Sequence, residues 1–369
     1  MRIALVVTGG VDESGRERII PALLSLIERL ARRHAVHVYA LRHLAEPRTY
    51  ALVGALVHDL GRPEGIRAQF RRLSAALSRD GPFDVVHGYW ALPAGLVAAM
   101  AGRRFRIPSI VTFDSGEFIS LPEIGYGNQL TFRHRRAVAA TLSLATRSTV
   151  CSHYQERLAL AHGASPQVVP IGVDRRLFHP PADRRSSGPP WRLLHVASLN
   201  LVKDQPTLIE ALRQLADRGA AVHLDIVGED TLDGSTQALA RRAGVDHLVT
   251  FHGFLPTDVL VPLYQRAHLL VVSSRHEAAN VAVMEAAACG VPAAGTRVGH
   301  VADWAPDRAV AVPPGNGSAL AEAIADLLAD GDLRDRIAAA ARAWTLAHDA
   351  DWTADTFESI YQEAGLRSL

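Results

Sequence analysis

Residues Val271 to Gly299 read VVSSRHEAANVAVMEAAACGVPAAGTRVG, and this segment constrains the fold more than any other part of the chain. Leu269 to Val272 is an apolar run of the length of a buried strand, and a short polar turn follows it. Small and apolar residues then continue at helical length until Gly290-Val291-Pro292 interrupts them, and a second small-residue strand comes next. Strand, helix and strand in this order form one unit of a parallel sheet.

Two carboxylates bracket the entry to that helix: Glu277 in the turn, and Glu285 eight residues on, about two turns into the helix. The turn belongs to the carboxyl end of a strand, where open α/β sheets bind ligands. The first amides of the helix, those of Ala279, Asn280 and Val281, are expected to open toward it and to make a seat for a diphosphate. A carboxylate beside a phosphate is repelled, so Glu277 and Glu285 suit hydroxyls instead. Glu285 would hold the adjacent hydroxyls of a ribose, and Glu277 those of a sugar on the far side of the diphosphate. The alternative is that both serve solubility or the helix dipole.

The segment as a whole resembles the Glu-x7-Glu signature of the retaining glycosyltransferases of family 4. EAANVAVMEAAACGVP stands where that family has a pattern like EGFGLPVLEAMACGTP, with Ala278 in place of the usual Gly. The similarity runs in weaker form from Met1 to about residue 365. It implies the GT-B fold, an α/β arrangement of two Rossmann-like, doubly wound parallel-sheet domains facing each other across a cleft. The nucleotide sugar would then lie on the second domain and the acceptor on the first.

The length of 369 residues suits two domains, each with its own core. With 48% hydrophobic and 21% charged residues and a net charge of +1, the chain has the composition of a globular protein and offers no whole-chain electrostatic case for nucleic acid. Residues 1–7 read as an apolar strand rather than a signal peptide, and no apolar run reaches membrane-spanning length, so the expectation is a cytoplasmic protein. Cys151 and Cys289 fall in buried elements of different halves and read as inert core thiols. Of 39 basic residues, Lys203 is the only lysine. It is either a chance survivor of a coding bias toward arginine or a position that needs a compact ammonium.

Residues 2–7 form a first strand ending in Thr8-Gly9-Gly10, too short of glycines for a dinucleotide fingerprint. In the resembled family this loop, with Gly10, faces the cleft. A helix from about Glu17 to Arg33 leads to a strand from Val36 to Leu41. Arg62, Arg67, Arg71, Arg72 and Arg79 lie on an amphipathic helix, and Arg133 to Arg136 form a second basic cluster. A solvated face explains both clusters most simply, and weak peripheral contact with anionic lipid at the inner face of a membrane is the alternative.

FDVVHGYWALPAG resembles a family segment whose side chains line the acceptor side, which assigns His87 and Trp90 there, His87 as a strand end. The strand Ile107 to Phe113 delivers Asp114 where many members have His-Gly; Asp114 would accept a hydrogen bond from a sugar, take the acceptor's proton, or cap the turn. Ile171-Gly172-Val173-Asp174 resembles the end of the family's first domain, and HPPADRRSSGPP, His179 to Pro190, is a linker. The resulting domains are 1–178 and 191–347, with the last helix, about 350–369, packing back on the first.

In the second domain, Lys203 falls on the lysine of the family's Gly-Arg-Leu-x3-Lys-Gly motif, before a helix N-terminus where a phosphate is expected, and Ser198 stands on the motif's arginine. His247 to Pro256 resembles the segment that contacts the nucleotide base, with Gly253 in the turn and Phe254 as an apolar wall or a core residue. Asp349-Ala350-Asp351 has the look of a metal-binding pair but reads better as a helix N-cap.

Together these readings imply a retaining transferase that moves a sugar from a nucleotide-diphosphate sugar to an acceptor hydroxyl. Glu277, Lys203 and Asp114 would do the chemistry, with no tightly bound cofactor and no metal needed for donor binding. A non-catalytic sugar-nucleotide-binding protein is the alternative, because Ser198 and Asp114 replace two familiar residues. A dinucleotide oxidoreductase fits less well, since no acidic residue ends the second strand.

Overall fold

The computed structural model describes residues 1–183 and 188–366, so part of the linker, residues 184–187, lies outside the described residues. The chain divides into two compact units, Met1–Ile171 together with the residues from Ala350 onward, and Gly172–Asp349.

The first unit contains β1 (Arg2–Val7), α1 (Pro21–Ala31), β2 (Ala35–Ala40), β3 (Arg48–Leu52), β4 (Ala55–Asp59), α2 (Gly65–Asp80) and β5 (Val85–Tyr89). It continues with α3 (Leu96–Phe105), β6 (Ser109–Phe113), α4 (Phe132–Leu144), β7 (Arg147–Val150), α5 (His153–Leu160) and β8 (Gln167–Val168). The strands form one sheet in the order β3-β4-β2-β1-β5-β6-β7-β8, parallel except where β3 runs against β4. The order reverses between β1 and β5, so the crevice for a ligand opens at their carboxyl ends, which carry Gly10 and Trp90.

The second unit contains β9 (Trp191–Val196), α6 (Gln205–Asp217), β10 (Val222–Val227), α7 (Ser235–Arg242), β11 (Val249–Phe251), α8 (Thr257–Arg266) and β12 (Leu269–Val272). Then follow α9 (Val281–Ala288), β13 (Ala293–Thr296), α10 (Gly299–Trp304), β14 (Val310–Val312), α11 (Gly317–Ala329) and α12 (Gly331–Ala347). Its sheet is parallel, in the order β11-β10-β9-β12-β13-β14, and reverses between β9 and β12. Alternate residues feed opposite cores. Leu193, Leu269 and Val271 join one apolar cluster, while Leu194, Leu270 and Val272 join the other. Burial on both faces is why these strands read as unbroken apolar runs.

Several boundaries differ from those read off the sequence. The first helix starts at Pro21, not near Glu17, because Val11 and Ile19 pair as an antiparallel bridge and hold the preceding residues in a loop. The hairpin β3-β4 has no strong sequence signal, since its turn places Val53 and Gly54 at φ 43° and 85°, and valine is a poor marker of a turn that needs positive φ at both centres. The helical stretch 317–347 is two helices, divided at Asp330, whose side chain accepts from the amide of Leu333 and starts α12. Both basic clusters are exposed: Arg62, Arg67, Arg71, Arg72 and Arg79 around α2, and residues 133–136 on α4. Among the described residues no helix is long and apolar enough to cross a membrane.

The final helix, α13 (Ala350–Leu366), packs on α1 within the first unit. Thr353 Oγ1 donates to the carbonyl of Pro170 at 2.7 Å, and Asp351 accepts from Arg29 Nε at 2.7 Å. The Arg29 guanidinium is buried while Asp351 is half exposed, so the pair is not a solvated ornament. Asp349 also pairs with Arg175 Nε, at 3.3 Å. Asp351→Ala removes one partner from a buried charge and is expected to cost about 1–3 kcal/mol, read as a lower midpoint in urea unfolding, with Asp355→Ala, an exposed pair, as the near-neutral control.

Candidate functional site

The reversal between β9 and β12 brings together two loops that are far apart in sequence. The loop after β9 is latched on both sides. Leu199 donates its amide to the carbonyl of Glu229 at 2.8 Å and accepts from Thr231 at 3.1 Å. Further on, Arg275 donates its amide to Val202 at 2.8 Å and Ser273 Oγ donates to the carbonyl of Lys203 at 2.7 Å. Asp204, at φ 50°, ends the loop and starts α6, its carboxylate accepting from Thr207 Oγ1 at 2.9 Å and lying 3.2 Å from Arg275 Nε.

So held, Lys203 donates from Nζ to both oxygens of Glu277, at 2.7 and 2.8 Å. The side chains are 22% and 10% exposed, which places the pair in a recess and not in bulk water. Glu277 Oε1 also accepts from Ser274 Oγ at 2.6 Å, and the Ser274 carbonyl accepts from Thr296 Oγ1 at 2.6 Å. The sequence had given Lys203 and Glu277 separate duties, and the structure makes them partners. Gly299, at φ +51°, closes over the same turn, where a Cβ would lie 2.4 Å from the Ala279 carbonyl oxygen, itself bonded to the His300 amide at 2.7 Å.

The turn from Ala278 to Asn280 is not helical, and Asn280 sits at φ 79° without a side-chain cap. Helix α9 therefore begins at Val281, and Glu285 is one turn into it rather than two. Ala279 is buried, Asn280 and Val281 partly so, at the helix N-terminus where the sequence put a diphosphate seat. Glu285 lies among the apolar residues of α9 at 9% exposure, accepting from Tyr264 Oη at 2.7 Å. Burial pushes its carboxyl up to about 7, against the downward pull of the Tyr264 hydrogen bond.

Ser198 is exposed, and its carbonyl accepts from Gln205 Nε2 at 3.2 Å. Gln205 also meets His195 Nε2 at 3.3 Å, and His195 Nδ1 donates to the Val271 carbonyl at 2.9 Å. That buried chain, unread in the sequence, fixes the loop to β9 and β12; burial holds His195 neutral, near 4. Gly253 is exposed, its carbonyl accepting from the Gly228 amide at 2.9 Å, and Phe254 is 52% exposed, so it is not a core residue.

In the first unit, Gly10 is at φ 81° with its carbonyl bonded to the Ile20 amide at 3.0 Å. His87 corrects the sequence reading. It lies in the middle of β5, fully buried, with Nδ1 2.7 Å from Tyr361 Oη and Nε2 2.7 Å from Thr112 Oγ1. Both ring nitrogens are taken and burial pushes the imidazole down to about 3, so it holds α13 to the sheet and has no face open to an acceptor.

The residue that follows the strand is Trp90, at φ 64°, ψ 148°, a conformation that costs a bulky side chain about 1–3 kcal/mol and that gathers at functional sites. Asp114 is partly buried beside the Cys151 thiol, whose pKa burial, and after it the Asp114 carboxylate, pushes upward. Glu117, to which the sequence reading assigns no duty, is buried and accepts from the amides of Ala91, at 3.2 Å, and Ser115, at 2.7 Å, and from Gln155 Nε2, at 3.3 Å. It clamps the loops that carry Trp90 and Asp114.

Two family descriptions match the chain. "Glycosyl transferase 4-like domain" covers residues 19–174 and "Glycosyl transferases group 1" covers residues 181–344. The chain belongs to the family 4 glycosyltransferases. This transferase is 28% identical, over 78% of its length and 74% of the relative's, to a D-inositol 3-phosphate glycosyltransferase of Xylanimonas cellulosilytica. Its GT-B fold is shared with sucrose-phosphate synthase from Thermosynechococcus elongatus, at TM-score 0.82, 18% identity and coverage of 98% and 99% of the two chains. Anabaena Alr3699/HepE, solved with UDP and glucose, matches at TM-score 0.77 and 17% identity over 98% and 100%.

Glu285 gives the transferase a pH signature of its own. Between the ordinary carboxyl value of 4.5 and about 7, the folded enzyme keeps a proton that the unfolded chain has lost, so stability falls as pH rises through that window. The loss from this group is at most about 3 kcal/mol and is complete above about pH 7. Glu285→Gln is expected to remove it, so that the variant gains on the wild type between pH 5 and 8 in denaturant melts; parallel pH profiles for the two proteins are the outcome that excludes this.

Proposed function

We propose that this transferase moves a sugar from a nucleoside-diphosphate sugar to an acceptor hydroxyl with retention at the anomeric carbon. One observation carries the reading. The chain's single lysine lies against Glu277 at the carboxyl ends of β9 and β12, beside the N-terminus of α9, with Glu285 one turn further in. A diphosphate arriving there competes with Glu277 for the ammonium. Once Lys203 turns to the phosphates, Glu277 is released toward the hydroxyls of the sugar. Ser198 and the amides of Ala279, Asn280 and Val281 share the diphosphate charge, Glu285 takes the ribose diol, and Gly253 and Phe254 flank the base.

Negative charge grows on the leaving diphosphate as the glycosyl bond breaks, so Lys203 and the helix amides act where the demand is greatest. On the first unit, Asp114 and Trp90 are assigned to the acceptor, with Gly10 giving backbone access. No side chain is assigned as a nucleophile for a double displacement, and the reading therefore has the acceptor attack from the face the diphosphate leaves, with the phosphate oxygen taking its proton. UDP is the first nucleotide to test, because the HepE structures hold UDP with glucose and UDP-glucose.

The decisive experiment follows thermal stability and binding with UDP, GDP, ADP and their sugars, then turnover without added Mg²⁺ and the anomeric configuration of the product by NMR. Lys203→Ala is expected to lower kcat/KM by ~10²–10³. Glu285→Ala is expected to abolish the nucleotide response. An inverted anomer, or a donor response that survives Lys203→Ala, defeats the assignment. Donor binding also releases the Glu285 proton. The affinity for a UDP-sugar, whose phosphates do not titrate near neutrality, should rise with pH up to about 7 and then level, and Glu285→Gln should flatten it.

A further inference from the structure

We propose that His37, His58 and Asp80 form a binding site for a divalent transition metal, with Zn²⁺ the best-suited ion. The three belong to β2, β4 and the last turn of α2, elements that carry no residue of the candidate donor or acceptor sites. Each offers one ligand atom, and these atoms lie within 4.8 Å of one another. His37 Nδ1 is 3.0 Å from His58 Nε2, and His58 Nε2 is 3.8 Å from Asp80 Oδ2. Ligands about a tetrahedral ion with bonds of ~2.0–2.1 Å sit roughly 3.3–3.4 Å apart. Coming onto one ion, with water in the fourth position, opens the His37–His58 gap by ~0.3–0.4 Å and draws the Asp80 carboxylate inward by up to about 1.4 Å, a movement within the reach of its side-chain torsions. Two imidazoles and a carboxylate select Zn²⁺ and its neighbours over Mg²⁺ or Ca²⁺.

The surroundings are those of a built site. The register pairs Tyr39 with His58, so His37, Tyr39 and His58 share one face of the sheet, with the two imidazoles stacked at 5.3 Å. Tyr39 Oη donates to Asp80 Oδ2 at 3.0 Å and orients the carboxylate. Thr49 Oγ1 lies 3.4 Å from His58 Nδ1 and accepts its proton, leaving Nε2 as the ligand atom. Arg79, which chelates Asp80 at 2.8 Å, is largely exposed and free to turn outward.

Arg2 opposes the ion. Its Nη2 lies 3.4 Å from His37 Nε2, and donation there keeps the His37 proton on Nδ1, pointing at His58. Metal takes that proton's place, so the His37 proton must move to Nε2 and face a guanidinium. Arg2→Gln substitutes an amide oxygen able to accept it and should tighten binding, as second-sphere changes do by ~10–100-fold. A bound ion would staple the antiparallel edge β3-β4 to α2.

The test uses the full chain, stripped with chelator and titrated with Co²⁺, whose visible absorption reports four- or five-coordinate nitrogen and oxygen ligation. One equivalent should bind, Zn²⁺ should displace it and raise the melting temperature, and Mg²⁺ should do neither. His37→Gln should abolish the band, and Asp80→Asn, which keeps both imidazoles, should weaken it at least tenfold; Arg2→Gln should strengthen it. Absence of a one-equivalent band in the wild type overturns the site. So does a band that survives in both His37→Gln and Asp80→Asn, since the metal would then lie among the chain's other histidines.

Discussion

The contact on which the donor-side architecture depends is the one between Lys203 and Glu277. Seventy-four residues separate the two in sequence, and two loops have to be pinned before the side chains can meet at 2.7 Å. The pins are specific: Ser273 on the Lys203 carbonyl, Arg275 on Val202, Thr296 on Ser274, and Gly299 against the Ala279 carbonyl. A recessed ion pair gains little net stability, because desolvation offsets most of its Coulomb attraction. Such a network is costly to maintain as a staple and well suited to a resting state, in which the ammonium is neutralised until a stronger anion displaces the carboxylate. A phosphate competes on equal chemical terms with Glu277 for the ammonium.

The sequence made the second unit more legible than the first, for a physical reason. Strands buried on both faces read as apolar runs, and the loops at their carboxyl ends carry the polar residues, so Lys203, Glu277 and Glu285 stand out against Leu, Val and Ala. What periodicity cannot supply is pairing across loops. Nothing local distinguishes a lysine that meets a phosphate from one that rests on a glutamate, and nothing local says that residues 278–280 stay out of the helix and shift Glu285 by a turn. In the first unit His87 was misread because a histidine near a strand end looks the same whether it faces solvent or Tyr361, and Tyr361 arrives from the far end of the chain. The hairpin β3-β4 was missed because Val53 occupies a turn position that asparagine or glycine would have announced.

His87 and His195 answer a further question, how polar groups are tolerated in such cores. Each lies in a central strand with both nitrogens engaged, His87 between Tyr361 and Thr112, His195 between Val271 and Gln205. Burial keeps both neutral, at about 3 and about 4, so the chains persist across the physiological range without changing charge. Satisfied and untitrating, they position loops; they do not transfer protons. Glu117 belongs with them, since its oxygens are spent on backbone amides.

That spending bears on Asp114. Two carboxylates follow β6, and Glu117 is the one saturated by donors from the surrounding backbone and Gln155. Asp114 is less buried and lies beside a thiol whose own ionisation is suppressed by burial and by the carboxylate. Where the family often has an imidazole able both to donate and to accept, this chain has an acceptor-only group. A hydroxyl that approaches Asp114 must therefore come as the donor, a polarity that suits an acceptor losing its proton in the transfer.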